Sequence, residues 1–284
     1  MASAIDNKLF RIDGRAGKKG EKLKAGQIVS FRGPQQWLFT RTPPTEQLDV
    51  PIIYEDASFL VVNKPAGMAT HGFSGKDTQT LANFLVAQRP DLLTVGKSRW
   101  EPGLVHRLDR ETSGLVLVAK TQQAFDELRR QFRRREIKKI YWALVWGATE
   151  SAGLISFPIA HDARDRRRMR VVKPDSAKSR DRKSWKALTG YRTLGTGKGV
   201  SLLELDMATG VTHQIRAHLS AIGHPIVNDP LYGAASSKPF GLTRHFLHAR
   251  LLQLRHPADG RVIRVECELP ADLQEVLQRL KIRI

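Results

Sequence analysis

The chain has 284 residues, with 47 lysines and arginines against 28 aspartates and glutamates, a formal net charge of +19. That length accommodates one large domain, alone or with a small appendage; no apolar run approaches the roughly 18 residues of a membrane span, and the single Cys267 excludes an internal disulfide framework and a cysteine-built zinc site. So large a positive excess points to a polyanionic partner, because phosphates neutralise the self-repulsion and the long-range field speeds encounter.

No apolar signal region follows the charged N-terminus, so a cytoplasmic location is expected. A lipid partner is not, since no basic amphipathic helix with an aromatic face is present. Residues 1–45 are basic, contain two turn-flanked β-prone runs at 9–15 and 23–31, and close on the proline-rich Arg41-Thr42-Pro43-Pro44-Thr45, which predicts a small hairpin element, a linker, and the main domain over 46–284. Residues 52–63 then read as a strand pair or one long strand ending in the turn Lys64-Pro65-Ala66-Gly67. Leu81, Phe84, Leu85 and Gln88 stand at helical spacing, and 114–119 reads as a short buried strand. Phe125, Leu128 and Phe132 mark an amphipathic helix whose other face carries Arg129, Arg130, Arg133 and Arg134.

Strands are expected at 141–146 and 200–207, with a turn at 195–199 before the second. The intervening stretch 163–186, with eleven Lys or Arg and three Asp, reads as an irregular basic arm for a phosphate backbone, or as a merely solvated charge run. A helix over 212–222 stops at Gly223, strands follow near 246–254 and 262–269, and a short helix covers 272–280. This alternation without an even βαβ rhythm predicts an α+β fold with a mixed, largely antiparallel sheet.

Several motifs fail on inspection. Gly195-Thr196-Gly197-Lys198-Gly199 lacks the distal Gly and the Ser or Thr of a phosphate loop. His213 and His218 are five residues apart, so they do not make the i, i+4 zinc pair, and His245 and His248 fall in a strand-like run. A triad of Ser113, His106 and Asp109 lacks a nucleophile elbow. What remains is the polar cluster His106-Arg107-Leu108-Asp109-Arg110-Glu111-Thr112-Ser113-Gly114 before an apolar strand. It reads either as a turn whose Asp109 and Thr112 satisfy backbone donors or as a site. A carboxylate among arginines is costly to bury unless paired, and Arg216 is a candidate partner.

His106-Arg107-Leu108-Asp109 with Thr112-Ser113-Gly114-Leu115 resembles the catalytic motif of the RluA-type pseudouridine synthases. Four further segments follow in the family's order: Ile53-Tyr54-Glu55-Asp56 with Asn63-Lys64-Pro65-Ala66-Gly67; Lys139-Ile140-Tyr141-Trp142-Ala143; Thr212-His213-Gln214-Ile215-Arg216 with Asp229-Pro230-Leu231-Tyr232-Gly233; and Leu247-His248-Ala249 with His256-Pro257. Two departures stand out. Gly210-Val211 replaces the family's Gly-Arg, and residues 1–45 are similar to only the second half of a small RNA-binding module.

The resemblance implies isomerisation of uridine to pseudouridine in ribosomal large-subunit RNA or transfer RNA; a monomer is the default expectation. Breaking the C1′–N1 bond, turning the base and joining C5 to C1′ needs no redox step or group donor, so neither cofactor nor metal is expected. The resemblance assigns Asp109 as the essential carboxylate, nucleophile or base at the ribose, with Arg216 holding it ionised. It gives Tyr141 a place packed on the base, assisting removal of the C5 proton. Arg107 would fill the space left by the flipped nucleotide, or simply contact a phosphate, and His106 and His213 would bind substrate. The rival readings are a non-catalytic RNA-binding or ribosome-assembly protein on the same fold, and a base-removing hydrolase.

Overall fold

The computed structural model describes residues 5, 7–33, 42–73, 77–172, 184–233 and 239–282. Among the described residues, strands β1 (Phe10–Ile12), β2 (Arg15–Ala16) and β3 (Val29–Phe31) pair only with one another, in the order β2-β1-β3. Residues 42–45 are tied down: Thr42 N–H donates to Arg99 O, the Thr45 hydroxyl donates to Thr78 O, and the Asn83 amide donates to Pro43 O. Arg41 lies outside the described residues.

The run 52–63 is a pair, β4 (Ile52–Glu55) and β5 (Phe59–Lys64). Asp56 breaks it, because its carboxylate accepts the N–H groups of Ser58 and Phe59 and so closes a tight turn. Helix α1 (Leu81–Gln88) is capped reciprocally by Thr80 and Asn83. The fully buried β6 (Ser113–Ala119) is followed by α2 (Gln122–Arg134), which is capped by Thr121 and turns Phe125 and Leu128 inward. Then come β7 (Lys138–Trp146), β8 (Ala152–Ile155), β9 (Ile159–His161), β10 (Met169–Val171), β11 (Thr189–Gly197), β12 (Val200–Met207), α3 (Gln214–Ala221), β13 (Leu247–Arg255), β14 (Val262–Glu266) and α4 (Ala271–Leu280).

Two sequence expectations are corrected. The basic stretch 163–186 is not wholly irregular. β10 pairs antiparallel with β9, and Asp162 and Asp165 fold the connection by accepting the N–H groups of Arg164 and Arg167. Among the described residues only two buried side chains, Met169 and Val172, stand amid the arginines, too weak a pattern to read. Residues 173–183 of that stretch lie outside the described part. Gly195–Gly197 belong to β11, and the turn falls on Lys198 and Gly199, both at positive φ as a tight hairpin requires.

The main sheet runs β4-β5-β6-β13-β7-β12-β11-β8, with β14 beside the far half of β13. Every pairing in it is antiparallel except β6 with β13. That parallel contact is two residues long, His248 to Ser113 and Ala249 to Gly114. Gly114 makes it possible: its φ is +115°, and a Cβ there would sit 2.3 Å from Ala249 O. The apolar core lies against the sheet around Phe59, Leu117, Leu144, Leu203 and Phe246, all essentially unexposed. The loop before β6 is thus delivered to the middle of the sheet.

Candidate active site

That loop, residues 107–112, is clamped through its backbone. The Thr70 hydroxyl donates to Leu108 O at 2.7 Å and accepts from Leu108 N–H at 3.1 Å. Lys64, wholly buried, donates from Nζ to Pro65 O, Met68 O and Arg110 O, locking the Lys64–Met68 turn to the loop. Burial pushes its ammonium down to about 7, against the pull of the Asp109 and Glu111 charges. Thr112 N–H donates to Asp109 O, and the Thr112 hydroxyl pairs with His245 Nε2 at 2.8 Å. Asp109 therefore leaves a fixed main chain with its side chain partly exposed.

Its charge partner comes from α3. Arg216 grips the fully buried Asp229 with two parallel bonds, Nε to Oδ2 at 2.7 Å and Nη2 to Oδ1 at 2.9 Å, and donates from Nη1 to Asp109 Oδ2 at 2.9 Å. Asp229 Oδ1 also accepts the N–H groups of Leu231 and Tyr232. Burial would raise the Asp229 carboxyl, but the Arg216 fork and these amides outweigh it and hold the group below its usual range. Burial would likewise deprotonate Arg216, yet Asp229 and then Asp109 drive it the other way. The guanidinium also lies 5.2 Å from the Tyr232 ring centroid. Asp229 thus orients the arginine, and the arginine orients Asp109.

His213 caps α3 in a left-handed conformation, φ +54°, so the helix begins at Gln214, two residues later than the sequence predicts. The Tyr232 hydroxyl accepts Met169 N–H at 2.7 Å, leaving its own proton for His213 Nδ1 at 3.1 Å. The imidazole proton then sits on Nε2, which faces Asp109 Oδ2 at 3.7 Å. Burial lowers the His213 pKa, opposed by Asp109.

Asp109, Tyr141, His213 and Arg216 line one small pocket of roughly 90 Å³, with Leu247 and Ile215 among its apolar walls. Tyr141 is supplied by β7 and is 4% exposed. Burial, reinforced by the Asp109 charge, keeps its hydroxyl protonated far above neutral pH, so any help it gives at C5 needs a relayed proton rather than a standing phenolate. Beside this pocket is a cleft of roughly 500 Å³ that shares Arg107, Tyr141, Met207, Gly210 and Val211 with it. Arg107 is exposed and donates from Nη1 to His71 Nε2 at 3.0 Å.

His106 lines the cleft but not the pocket. Its Nε2 accepts Leu117 N–H at 2.9 Å and its ring packs at 5.1 Å from that of Phe132. Burial takes its pKa down to about 3, so it offers a neutral Nδ1–H rather than a charge. Lys64, Thr70 and Asp229 are supports that sequence reasoning did not single out by role. Lys64 and Asp229 were visible only as members of matching motifs.

A family model described as RNA pseudouridylate synthase matches residues 58–221. The chain is 44% identical to an RNA pseudouridine synthase of Chloroflexus aurantiacus, over 98% of this chain and 84% of that protein. It is 35% identical to the ribosomal large subunit pseudouridine synthase D of Nitrosomonas europaea, over 98% and 78%. Among solved structures, human RNA pseudouridylate synthase domain containing 4 superimposes with a TM-score of 0.63 at 28% identity, covering 82% of this chain and 94% of the human one.

Proposed function

Since this chain belongs to the RNA pseudouridylate synthase family and is an isomerase that converts uridine in RNA to pseudouridine, we propose that Asp109 carries the reaction and that the substrate is large-subunit ribosomal RNA. The observation that carries the first half is the relay Asp229–Arg216–Asp109, which delivers one oriented carboxylate to a pocket faced by Tyr141. The second half rests on relatives named as ribosomal large subunit enzymes. Transfer RNA is the competing substrate, and cytoplasmic action by a monomer goes with either.

In this reading the target nucleotide leaves its stack, at a cost of a few kcal/mol, and its uracil enters between Tyr141 and Asp109. Arg107, at the boundary of pocket and cleft, takes the vacated space. Asp109 acts at the ribose, either attacking C1′ as N1 departs or removing a sugar proton as N1 departs. The freed base turns, C5 bonds to C1′ as the Asp109 carboxylate leaves it or as the sugar proton is given back, and the C5 proton is lost to restore the ring. The guanidinium of Arg216 keeps the carboxylate charged and aimed. A hydrolase would release uracil, whereas an isomerase must retain the detached base for recapture, for which a small pocket with Leu247 and Ile215 among its walls is suited.

Asp109→Ala is expected to bind RNA within a few-fold of wild type while releasing no tritium from RNA labelled at uridine C5. Retained release would move the chemistry to another residue. Mapping pseudouridines in cells lacking the protein is expected to show a position lost from large-subunit ribosomal RNA. Loss from transfer RNA instead would redirect the substrate assignment.

A further inference from the structure

The cleft beside the pocket has a feature that the isomerisation itself does not use. Its walls carry Arg107, Arg129, Arg133, Arg135, Lys139 and Lys186, and one large, partly exposed indole, Trp185. A lone exposed indole means little by itself, but rings set among cations in a groove are how proteins hold unpaired nucleotides.

Trp185 is also held in place. Its N–H and C=O exchange hydrogen bonds with Ile159 at 2.8 and 2.9 Å, and its ring meets His161 edge-on, 5.3 Å between centroids at 87°. The segment that follows it is stitched to the wall shared by both cavities through the buried Gln214. That side chain donates to Leu188 O and Thr189 Oγ1 and accepts from Thr209 Oγ1 and Val211 N–H. Leu188 N–H donates in turn to Thr209 Oγ1. Across the cleft floor, Lys139 Nζ donates to Thr209 O. The indole therefore has a fixed position relative to Val211, Tyr141 and Asp109.

We propose that Trp185 is a stacking platform for an unpaired base next to the target uridine, with the surrounding arginines and the exposed Lys186 holding the phosphates on either side. This rests on the RNA reading above and narrows its substrate class: a uridine whose neighbour is free to leave its own stack, as in a loop. Val211 fits this arrangement. It puts an apolar side chain at the passage between cleft and pocket and packs against the small cluster of Ile159, Met169 and Tyr232, so the passage is lined by surface on which bases rest rather than by another cation.

The test uses full-length chain carrying Asp109→Asn, so that binding is read without turnover, and single-stranded RNA decamers with one central uridine at low salt. Trp185→Ala should weaken binding about tenfold for the decamer with all bases present and less than twofold when the residues flanking the uridine are abasic. Trp185→Phe should recover affinity to within about threefold of the Trp185 protein. Pairing the decamer with a complementary strand should erase the dependence on Trp185.

Equal weakening on the full and abasic decamers would overturn the proposal, since the indole would then act through packing. So would a phenylalanine variant as weak as the alanine one, no change in any variant, or no measurable binding by the Trp185 protein. If instead the binding pattern holds but the protein with Asp109 restored makes no pseudouridine, the proposed function fails while the stacking site stands.

Discussion

Two arginines reach the Asp109 loop from opposite elements, and they make almost the same fork. Arg216 on α3 grips Asp229 through Nε and Nη2 at 2.7 and 2.9 Å, and Arg244, ahead of β13, grips Asp272 on α4 through Nε and Nη2 at 2.7 and 3.0 Å. Both side chains are 5% exposed. The difference lies in the remaining nitrogen and in the acid. Nη1 of Arg216 donates to the Asp109 carboxylate at 2.9 Å, whereas Nη1 of Arg244 reaches only the Glu111 carbonyl at 3.4 Å. Asp229 is fully buried, while Asp272 keeps 46% of its side-chain surface in solvent. One fork orients the carboxylate proposed to react, from a fully buried anchor; the other pins a helix to a loop. Bidentate geometry alone therefore says nothing of role. The third donor's acceptor decides it.

Removing each arginine should separate the two forks most widely. Arg216→Met leaves Asp229 buried without its cation, a loss on the order of 3–5 kcal/mol, and lets Asp109 swing, for an expected fall in kcat of about 10²–10³-fold. Arg244→Met leaves an acid that water can reach, for a loss of about 1 kcal/mol and activity within about twofold of wild type. Tritium release from C5-labelled RNA and urea unfolding measure both, and comparable losses of kcat in the two variants would erase the distinction. A gentler version exchanges the acids. Asp229→Asn keeps the shape and removes the charge, so Arg216 is held less firmly and kcat should drop by roughly 10-fold or more; Asp272→Asn should leave kcat unchanged. A silent Asp229→Asn would mean that Arg216 is oriented by Asp109 and the Tyr232 ring alone.

This contrast also marks how far the sequence could be read. Helix α2, with Phe125 and Leu128 turned inward, and the capped α1 follow from local periodicity, and the mixed sheet from the uneven alternation of strands. Asp109, Tyr141 and Arg216 emerged through motif order, and they do share a pocket. What stayed hidden depends on residues distant in the chain. Asp229 sits 13 positions beyond Arg216 and looks like a loop acid until the fold buries it. Lys64 looks like a surface lysine until three carbonyls surround it. The short β9–β10 hairpin was masked by arginines because three-residue strands carry too few inward positions to show a period of two.

The smallest expected effect concerns His245, which stands between the forks. Its Nε2 pairs with the Thr112 hydroxyl, and Nδ1 is buried without a partner among the described residues. Burial, and after it the Arg216 charge, hold its pKa down to about 4, with Asp229 and Asp109 opposing and Arg244 contributing less than Arg216. An unfolded histidine titrates near 6.5. Between pH 6.5 and about 4 the unfolded chain therefore binds a proton that the native state refuses, so stability falls as pH is lowered through that window and levels off below it. A single such group contributes a slope of at most about 1.4 kcal/mol per pH unit. His248, also held near 4, and His106, near 3, act in the same direction. His245→Gln should accordingly make the decline shallower without abolishing it, in urea unfolding at pH 7, 5.5 and 4.5. Parallel curves for variant and wild type would mean that His245 takes up its proton at the same pH folded as unfolded, and that burial and the Arg216 charge do not hold that proton off.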